Sequence, residues 1–255
     1  MLFDSHNHLQ RLPAPTADEI LARAEGASVA AMMCCATGAP GDWDALEAFA
    51  KRHPETVRVS FGLHPWHIAS ADRNWRKTLE HLLDAVPAGL GEIGLDRSPL
   101  CRTPVPTQMD AFLWQLNLAR DRGLPATIHC TGAWDLLWEV MKARPPQPIL
   151  LHSFKAPPEI VKALTSRGVH LSIGPSILPA PVAKTAAMLA AIPEGMLHVE
   201  SDFEGPWPPV RRAMEPAGIG AVTSLAAQLL GRDASALEQS TYEASEAFFS
   251  FPRPA

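Results

Sequence analysis

The stretch Asp4-Ser5-His6-Asn7-His8, close to the start of the chain, carries the most informative pattern in the sequence. Residues two apart on a β-strand face the same way, so Asp4, His6 and His8 are expected on one side of a first strand. Two imidazoles at this spacing can bind one divalent cation, and a carboxylate behind them can orient a ring nitrogen. An isolated pair of histidines can equally belong to a polar turn, so the rest of the chain has to supply the other ligands.

Composition and charge narrow the class of protein. The chain has 255 residues, of which 47% are hydrophobic and 19% charged, values typical of a globular protein with a substantial core. No apolar run is long enough to span a bilayer, and the first residues lack an export signal, so we expect no membrane association. The four cysteines show no CxxC spacing, which favours free thiols in a cytoplasmic protein. The net charge of −5 gives no general attraction to nucleic acid, so a phosphate-bearing substrate must be held locally.

Short apolar strand candidates alternate with helical patterns along the chain. The eight candidate strands are Leu2–His8, Val29–Ala36, Val57–His64, Gly89–Gly94, Ala126–Cys130, Ile149–His152, Val169–Ile173 and Leu197–Asp202. The helical patterns are Thr16–Gly26, Asp42–His53, Arg73–Val86, Thr107–Arg122, Ala133–Arg144, Pro158–Arg167, Ala180–Ile192, Pro208–Leu230 and Asp233–Phe249. This alternation predicts an α/β fold with a parallel sheet, and eight units in about 250 residues match a closed (β/α)8 barrel, or TIM barrel. An open doubly wound sheet is the alternative, but no GxGxxG motif follows the first strand.

The domain organisation is simple. The chain contains 25 prolines, which are dispersed among the predicted connections, and no shift in composition divides it. We therefore expect residues 1–255 to form a single barrel domain with extra C-terminal helices at about 208–249. The oligomeric state stays open, a monomer being one possibility.

Metal-type side chains recur at the predicted ends of five strands. In such barrels the chemistry occupies the C-terminal ends of the strands. The residues at those ends are His6, His8, Glu92, His129, His152 and Asp202. Four imidazoles and two carboxylates suit zinc, manganese or another borderline divalent ion. Six ligands are too many for one tetrahedral zinc, and a carboxylate such as Glu92 can bridge two ions, so the set predicts a binuclear centre.

In these motifs the chain resembles the TatD family of metal-dependent hydrolases. The matching segments are DSHNHL at the start, FGLHPWH after the third strand, GLGEIGLD on the fourth, TIHC on the fifth, LLHSF on the sixth and HVESD on the eighth. The resemblance implies a (β/α)8 barrel that hydrolyses phosphodiester bonds, commonly described as deoxyribonuclease activity. It also implies two divalent ions (zinc, manganese or magnesium), with DNA or a small phosphoester as substrate. The ligands that it implies are His6, His8, Glu92, His129, His152 and Asp202, with Glu92 bridging.

The chain departs from the family pattern near the expected substrate pocket. Family members often carry an arginine just after the fifth-strand histidine, where this chain has Cys130-Thr131-Gly132-Ala133. Such an arginine is a natural phosphate clamp, so its loss puts deoxyribonuclease activity in question. After the sixth-strand histidine, Lys155 either supplies a compensating charge for the substrate or is a solvated surface lysine.

The ligand set suggests a mechanism in which Asp202 and Glu92 are the catalytic residues. Two cations lower the pKa of a shared water, and Asp202 is the candidate general base. Glu200 has the same strand parity as Asp202 and lies deeper in the barrel, where it can orient a ligand. Asp4 is expected to hold a ring of His6 or His8.

For two further residues, the sequence is compatible with either a functional or a structural role. His64, in the turn after the third strand, either contacts the substrate or is a structural turn histidine. Asp96, in the segment after Glu92, is either a cap or a residue of the site.

Three functions are compatible with this sequence. The leading hypothesis is a divalent-metal phosphodiesterase of the nuclease type, acting on DNA ends or smaller phosphoesters. The second is a metal-dependent hydrolase of a non-nucleic-acid ester, lactone or amide, since the same activated water serves. The third is a non-catalytic binding protein on an inherited barrel, against which the intact ligand set argues.

Overall fold

A computed structural model of the protein describes residues 1–39, 41–144, 147–178, 181–205 and 215–251. Within these residues, parallel strands lie side by side in the order of the sequence. The strands are β1 (Leu2–Asn7), β2 (Val29–Cys35), β3 (Val57–Phe61), β4 (Gly89–Asp96), β5 (Ala126–Thr131), β6 (Ile149–Leu151), β7 (Val169–Ile173) and β8 (Leu197–Val199). The helices are α1 (Ala14–Gly26), α2 (Asp42–Arg52), α3 (Trp75–Ala85), α4 (Val105–Arg122), α5 (Trp134–Lys142), α6 (Pro158–Thr165), α7 (Val182–Ala190), α8 (Ile219–Leu230) and α9 (Ala234–Phe248).

The sheet closes between β1 and the segment that follows β8. The backbone N–H of Asp202 donates to the carbonyl of His6 at 2.9 Å, and the N–H of His8 donates to the carbonyl of Phe203 at 2.7 Å. These bonds bring the first histidines beside the end of the eighth strand. The (β/α)8 barrel predicted from the alternation of strands and helices is therefore confirmed.

Strand boundaries differ from the predicted ones at the end of the barrel that carries the polar residues. β8 ends at Val199, because the chain beyond it bends towards β1 and pairs with it irregularly. β4 instead continues to Asp96, which pairs with Thr131 of β5. This pairing requires Gly94, whose φ is 148°, because a Cβ there would lie 1.9 Å from the carbonyl oxygen of His129.

The predicted helix over Pro208–Leu230 is α-helical, within the described residues, from Ile219 onwards. Residues 208–214 of the predicted helix over Pro208–Leu230 lie outside the described residues, and Pro216–Gly218 form a 3-10 turn before α8. Proline and glycine so close together disfavour an α-helix at this point. α8 packs against β1 and β8 as the eighth helix of the β/α series, and α9 follows it as an additional helix.

α9 closes the end of the barrel opposite to the polar residues. Phe248 and Phe249, at its C-terminal end, pack with Phe3 and Met33 in an apolar cluster, and the rings of Phe3 and Phe249 stack at 5.6 Å. Full burial of such a side chain contributes about 1.5–3 kcal/mol. One end of the barrel is thus closed by this apolar cluster together with the buried His198, and the metal-type residues lie at the other end. No helix of the described part combines the length and apolar character needed to cross a membrane.

Candidate metal centre

Glu92 on β4 lies at the middle of the polar cluster, with only 3% of its surface exposed. Its Oε2 is 3.4 Å from Nε2 of His6 and 3.4 Å from Nε2 of His8. Its Oε1 is 2.9 Å from Nε2 of His152 and 3.1 Å from Nδ1 of His129. The two carboxylate oxygens therefore face two different pairs of imidazoles.

Asp202 completes the set on the open side of the cluster. Its Oδ1 lies 3.9 Å from Nε2 of His6 and 4.0 Å from Nε2 of His8. The Asp202 side chain is 36% exposed, whereas that of Glu92 is 4% exposed. Its φ of 50° is a left-handed conformation that non-glycine residues rarely adopt, and it occurs where the chain leaves β8. The structure thus brings together all six side chains that the sequence indicated as ligands.

His64 lies beside these six residues. Its Nε2 lies 3.5 Å from Oε1 of Glu92, and its ring lies 4.4 Å from that of His129. The backbone N–H of Trp66 donates to Nδ1 of His64 at 3.2 Å, so Nε2 of the neutral ring carries the proton and faces Glu92. His64 is 4% exposed, and this side chain lies among the metal-type residues.

The electrostatic environment of the cluster keeps Glu92 ionised and shifts the pKa values of its imidazoles in different directions. Burial opposes ionisation of Glu92, but the imidazoles of His152 and His64 hold its pKa well below the usual range. Burial likewise acts to lower the pKa of His152, yet the carboxylates of Glu92 and Glu200 raise it well above the usual value. In contrast, burial lowers the pKa of His6 to about 4, so this ring is neutral at pH 7 and can bind a cation without losing a proton.

The residues present fit divalent cations. Ring nitrogens of His6 and His8, 3.2 Å apart, converge on one oxygen of Glu92, and those of His129 and His152 converge on the other. Convergent nitrogen and oxygen atoms around an ionised buried carboxylate form a donor set that zinc, manganese and similar ions prefer. Among the described residues, three groups each have their ligand atoms within 4.8 Å of one another, namely His6–His152–Asp202, His6–His8–Glu92 and His64–Glu92–His129.

Hydrogen bonds on the far side of the rings orient two of these imidazoles. Nδ1 of His8 is 2.7 Å from the carbonyl oxygen of Cys35, so Nδ1 carries the proton and Nε2 is free to face Glu92. Nε2 of His129 lies 3.0 Å from Oδ2 of Asp96, which also accepts a bond of 2.6 Å from the indole N–H of Trp66. Sequence reasoning left Asp96 undecided, although it lies on the same face of β4 as Glu92.

Replacing Asp96 by asparagine should weaken metal binding about 10- to 100-fold, because outer partners of ligating histidines commonly have effects of this size. Asparagine can still bond to the ring but no longer attracts it as a carboxylate does. Isothermal titration of the metal-free protein with Mn²⁺ or Zn²⁺ measures the change. Asp110→Asn, which alters an exposed carboxylate paired with Arg76, is the control and should leave the affinity unchanged. Equal affinities for Asp96→Asn and the wild type would show that Asp96 does not orient His129.

Glu200 and Asp4 occupy different positions relative to the imidazoles. Oε1 of Glu200 is 3.7 Å from Nδ1 of His152, and its Oε2 accepts a bond from the hydroxyl of Ser172. Asp4 contacts the backbone N–H of His6 at 3.4 Å, but its shorter bonds of 2.8 and 2.7 Å are to the N–H and hydroxyl of Ser201. The β1–β2 pairing shifts register after Asp4, so strict alternation does not describe this stretch. Asp4 therefore ties β1 to the end of β8 instead of holding a ring of His6 or His8.

Lys155 lies away from the cluster. Its ammonium group donates to the carbonyl of Ser176, and its side chain borders grooves on either side of α6. Ser153, with φ of 50°, turns the chain after His152 so that Phe154 is buried and Lys155 is exposed. Of the hydrogen bonds and ion pairs in the described ranges, none joins Lys155 to a residue of the metal centre.

A parallel barrel with buried imidazoles and carboxylates gathered at the C-terminal ends of its strands defines a metal-dependent hydrolase. The family model described as "TatD related DNase" matches residues 3–250. The chain therefore belongs to the TatD family of metal-dependent hydrolases, as its motifs suggested.

Several relatives cover almost the whole chain. A protein named 3'-5' ssDNA/RNA exonuclease TatD, from Erwinia tasmaniensis, is 28% identical over 237 residues, which span 88% of this chain and 90% of that protein. The deoxyribonuclease TATDN3 of Homo sapiens is 26% identical over 246 residues, which span 90% of this chain and 88% of that protein.

Solved structures share the fold. The crystal structure of a TatD homologue from Escherichia coli superposes with a TM-score of 0.85 at 23% identity and covers 98% of both chains. A TatD family hydrolase from Entamoeba histolytica gives a TM-score of 0.80 at 16% identity, covering 100% of this chain and 98% of that chain.

Proposed function

We propose that this protein is a binuclear phosphodiesterase that cleaves nucleic acid. The observation that carries the proposal is the position of Glu92, whose two oxygens each face a separate pair of imidazoles. Paired divalent ions bridged by a carboxylate are the arrangement used in many phosphodiester hydrolases. The printed names of the Erwinia and human relatives describe nucleases, which supports the same substrate class.

The chain's own residues would hold the two ions on either side of Glu92. His6 and His8 with Oε2 of Glu92 form one group, and His129 and His152 with Oε1 form the other. When bound, divalent ions lower the pKa of a water molecule and polarise a phosphoryl oxygen. Zinc, manganese and magnesium are the candidate ions.

Asp202 is the residue placed to move the proton. Of the carboxylates in the described cluster it is the more exposed one, so its oxygens face the side from which substrate enters. We assign it the role of general base towards the attacking water, after which its protonated form donates to the leaving oxygen. Glu200 lies behind His152 and steadies that ring, whereas Asp4 secures the strand that carries His6.

Metal removal should abolish the activity and lower the melting temperature. Protein stripped with a chelator and reloaded with Mn²⁺, Mg²⁺ or Zn²⁺ should shorten a single-stranded oligonucleotide from its 3′ end, whereas the stripped protein should not. A ligand that binds only the folded state stabilises it by about 2.7 kcal/mol at a free concentration of 100 times Kd. Gel analysis of the oligonucleotide and differential scanning fluorimetry measure the two effects.

Two outcomes would contradict this function. Hydrolysis of a lactone or aminoacyl ester without any of DNA or RNA would favour a hydrolase of small esters or amides. No bound metal by elemental analysis, after loading with each of the three ions, would contradict both hydrolase assignments.

A further inference from the structure

The geometry points to Arg97 as a binding residue for a backbone phosphate of the nucleic-acid strand beside the cleaved linkage, an inference that rests on the proposed function. Arg97 directly follows Asp96, the carboxylate that orients His129. Its backbone therefore lies at the end of β4, on the rim of the barrel that carries the metal centre.

The backbone of Arg97 lies beside the end of β5. Its backbone N–H donates to the carbonyl of Thr131 at 2.8 Å, and a Cβ built on Gly132 would lie 3.4 Å from Cβ of Arg97. This is the stretch Cys130-Thr131-Gly132, which lacks the arginine that the family resemblance would place there. Arg97 thus starts from the same edge of the barrel, at the end of the neighbouring strand, and its guanidinium lies beside Asp135 of α5.

The guanidinium of Arg97 is available for a ligand. The side chain is 37% exposed, and in the part of the chain that the structure describes its ion pair is with Asp135, at 2.7 Å from Nη1. Asp135 is itself 65% exposed, and exposed pairs of this kind contribute little to stability. A phosphate can therefore replace Asp135 at small cost.

The chemistry of this group suits a phosphate. Guanidinium is planar, keeps its charge at all working pH values and can donate two parallel bonds to phosphate oxygens. The chain carries a net charge of −5, so an anionic strand depends on local cations at the mouth of the barrel. Lys155, the cation that the sequence suggested for this task, is directed to the carbonyl of Ser176 instead.

The test compares Arg97→Gln with a matched control. Arg232→Gln removes an arginine whose pair with Glu194 has nearly the same length, 2.8 Å, and the same exposure, 36%, but lies beyond the helix ends at the opposite face of the barrel. The probe is a fluorescent single-stranded oligonucleotide with non-hydrolysable linkages, bound to the metal-loaded protein and followed by anisotropy between low and moderate salt.

Arg97→Gln should bind the oligonucleotide about tenfold more weakly, as expected for the loss of a charge-assisted phosphate contact. The slope of log Kd against log salt concentration should fall by about 0.7, the value for one contact on a single strand. Asp135→Asn, which frees the guanidinium, should tighten binding about two- to fivefold. Arg232→Gln should behave as the wild type.

Three results would overturn the assignment. The first is an unchanged Kd and salt slope in Arg97→Gln. The second is a loss of activity on bis(4-nitrophenyl) phosphate as large as that on an oligonucleotide, because this would show that the substitution disturbs His129 rather than a flanking phosphate. The third is weaker binding by Asp135→Asn. If the wild type binds the oligonucleotide but hydrolyses no phosphodiester, the proposed function fails while the binding role of Arg97 is still decided by the same titrations.

Discussion

Replacing Glu92 by glutamine should remove bound metal and lower kcat/KM by about three orders of magnitude or more, since metal ions supply several kcal/mol of charge stabilisation. Glu92 is buried and faces imidazoles through both oxygens. The glutamine side chain offers one carbonyl oxygen and an NH₂ group that only donates, so one pair of imidazoles loses its anionic partner. Elemental analysis and steady-state kinetics measure the two effects on the same preparation.

The control for this substitution is Glu246→Gln. Glu246 forms a forked ion pair of 2.6 and 2.7 Å with Arg58, on α9 at the apolar end of the barrel. The Glu246→Gln variant should retain both the metal content and the rate of the wild type, although this substitution also removes one carboxylate. Full metal content and a wild-type rate in Glu92→Gln would show that this glutamate does not bridge the ions, and the proposed two-ion arrangement would be wrong.

The fold could be predicted because its signal is local and repeated. Each strand is a short apolar run bounded by turn residues, and a strand followed by a helix permits few arrangements other than a parallel sheet. Within the described residues, a difference concerns the predicted helix over Pro208–Leu230, in which Pro216–Gly218 form a 3-10 turn and α8 begins at Ile219. Apolar periodicity alone did not show that Pro216 and Gly218 interrupt the pattern.

The six metal-type residues were predictable for a different reason. Strand ends of a parallel barrel converge on one face, so residues far apart in sequence are brought together by topology alone. The orienting contacts were not predictable in the same way. The bond between Asp96 and His129 depends on the register of β4 with β5, which places Gly94 opposite His129. Likewise, the register shift in β1 decides that Asp4 bonds Ser201.

Loop residues were the hardest to place from the sequence. His64 follows β3 in a turn whose path is fixed by contacts such as the bond between the Leu63 N–H and the side chain of Gln115, at 2.8 Å. Lys155 is turned outwards by the left-handed conformation of Ser153. Neither the Leu63–Gln115 bond nor the conformation of Ser153 follows from a regular sequence pattern, because the direction of a loop depends on residues distant along the chain.

Replacing Asp202 by asparagine should lower kcat about 10²- to 10⁴-fold, the range that general acid–base catalysis supplies, while leaving most of the bound metal in place. The reason is that His6, His8, Glu92, His129 and His152 remain as donors, whereas the amide cannot accept the proton of the attacking water. Elemental analysis separates this variant from Glu92→Gln, because only the latter should lose its ions.

The pH profile gives a second, independent measure of the role of Asp202. In the wild type kcat should fall as the pH drops, because protonation of Asp202 removes the base, and Asp202→Asn should lack this acidic limb. Glu194→Gln is the control, since Glu194 is an exposed carboxylate that pairs with Arg232 at 2.8 Å and does not act on Asp202. It should keep both the rate and the profile. Restoration of the Asp202→Asn rate by additional metal would show that Asp202 acts only as a ligand, because excess ions cannot replace a proton acceptor.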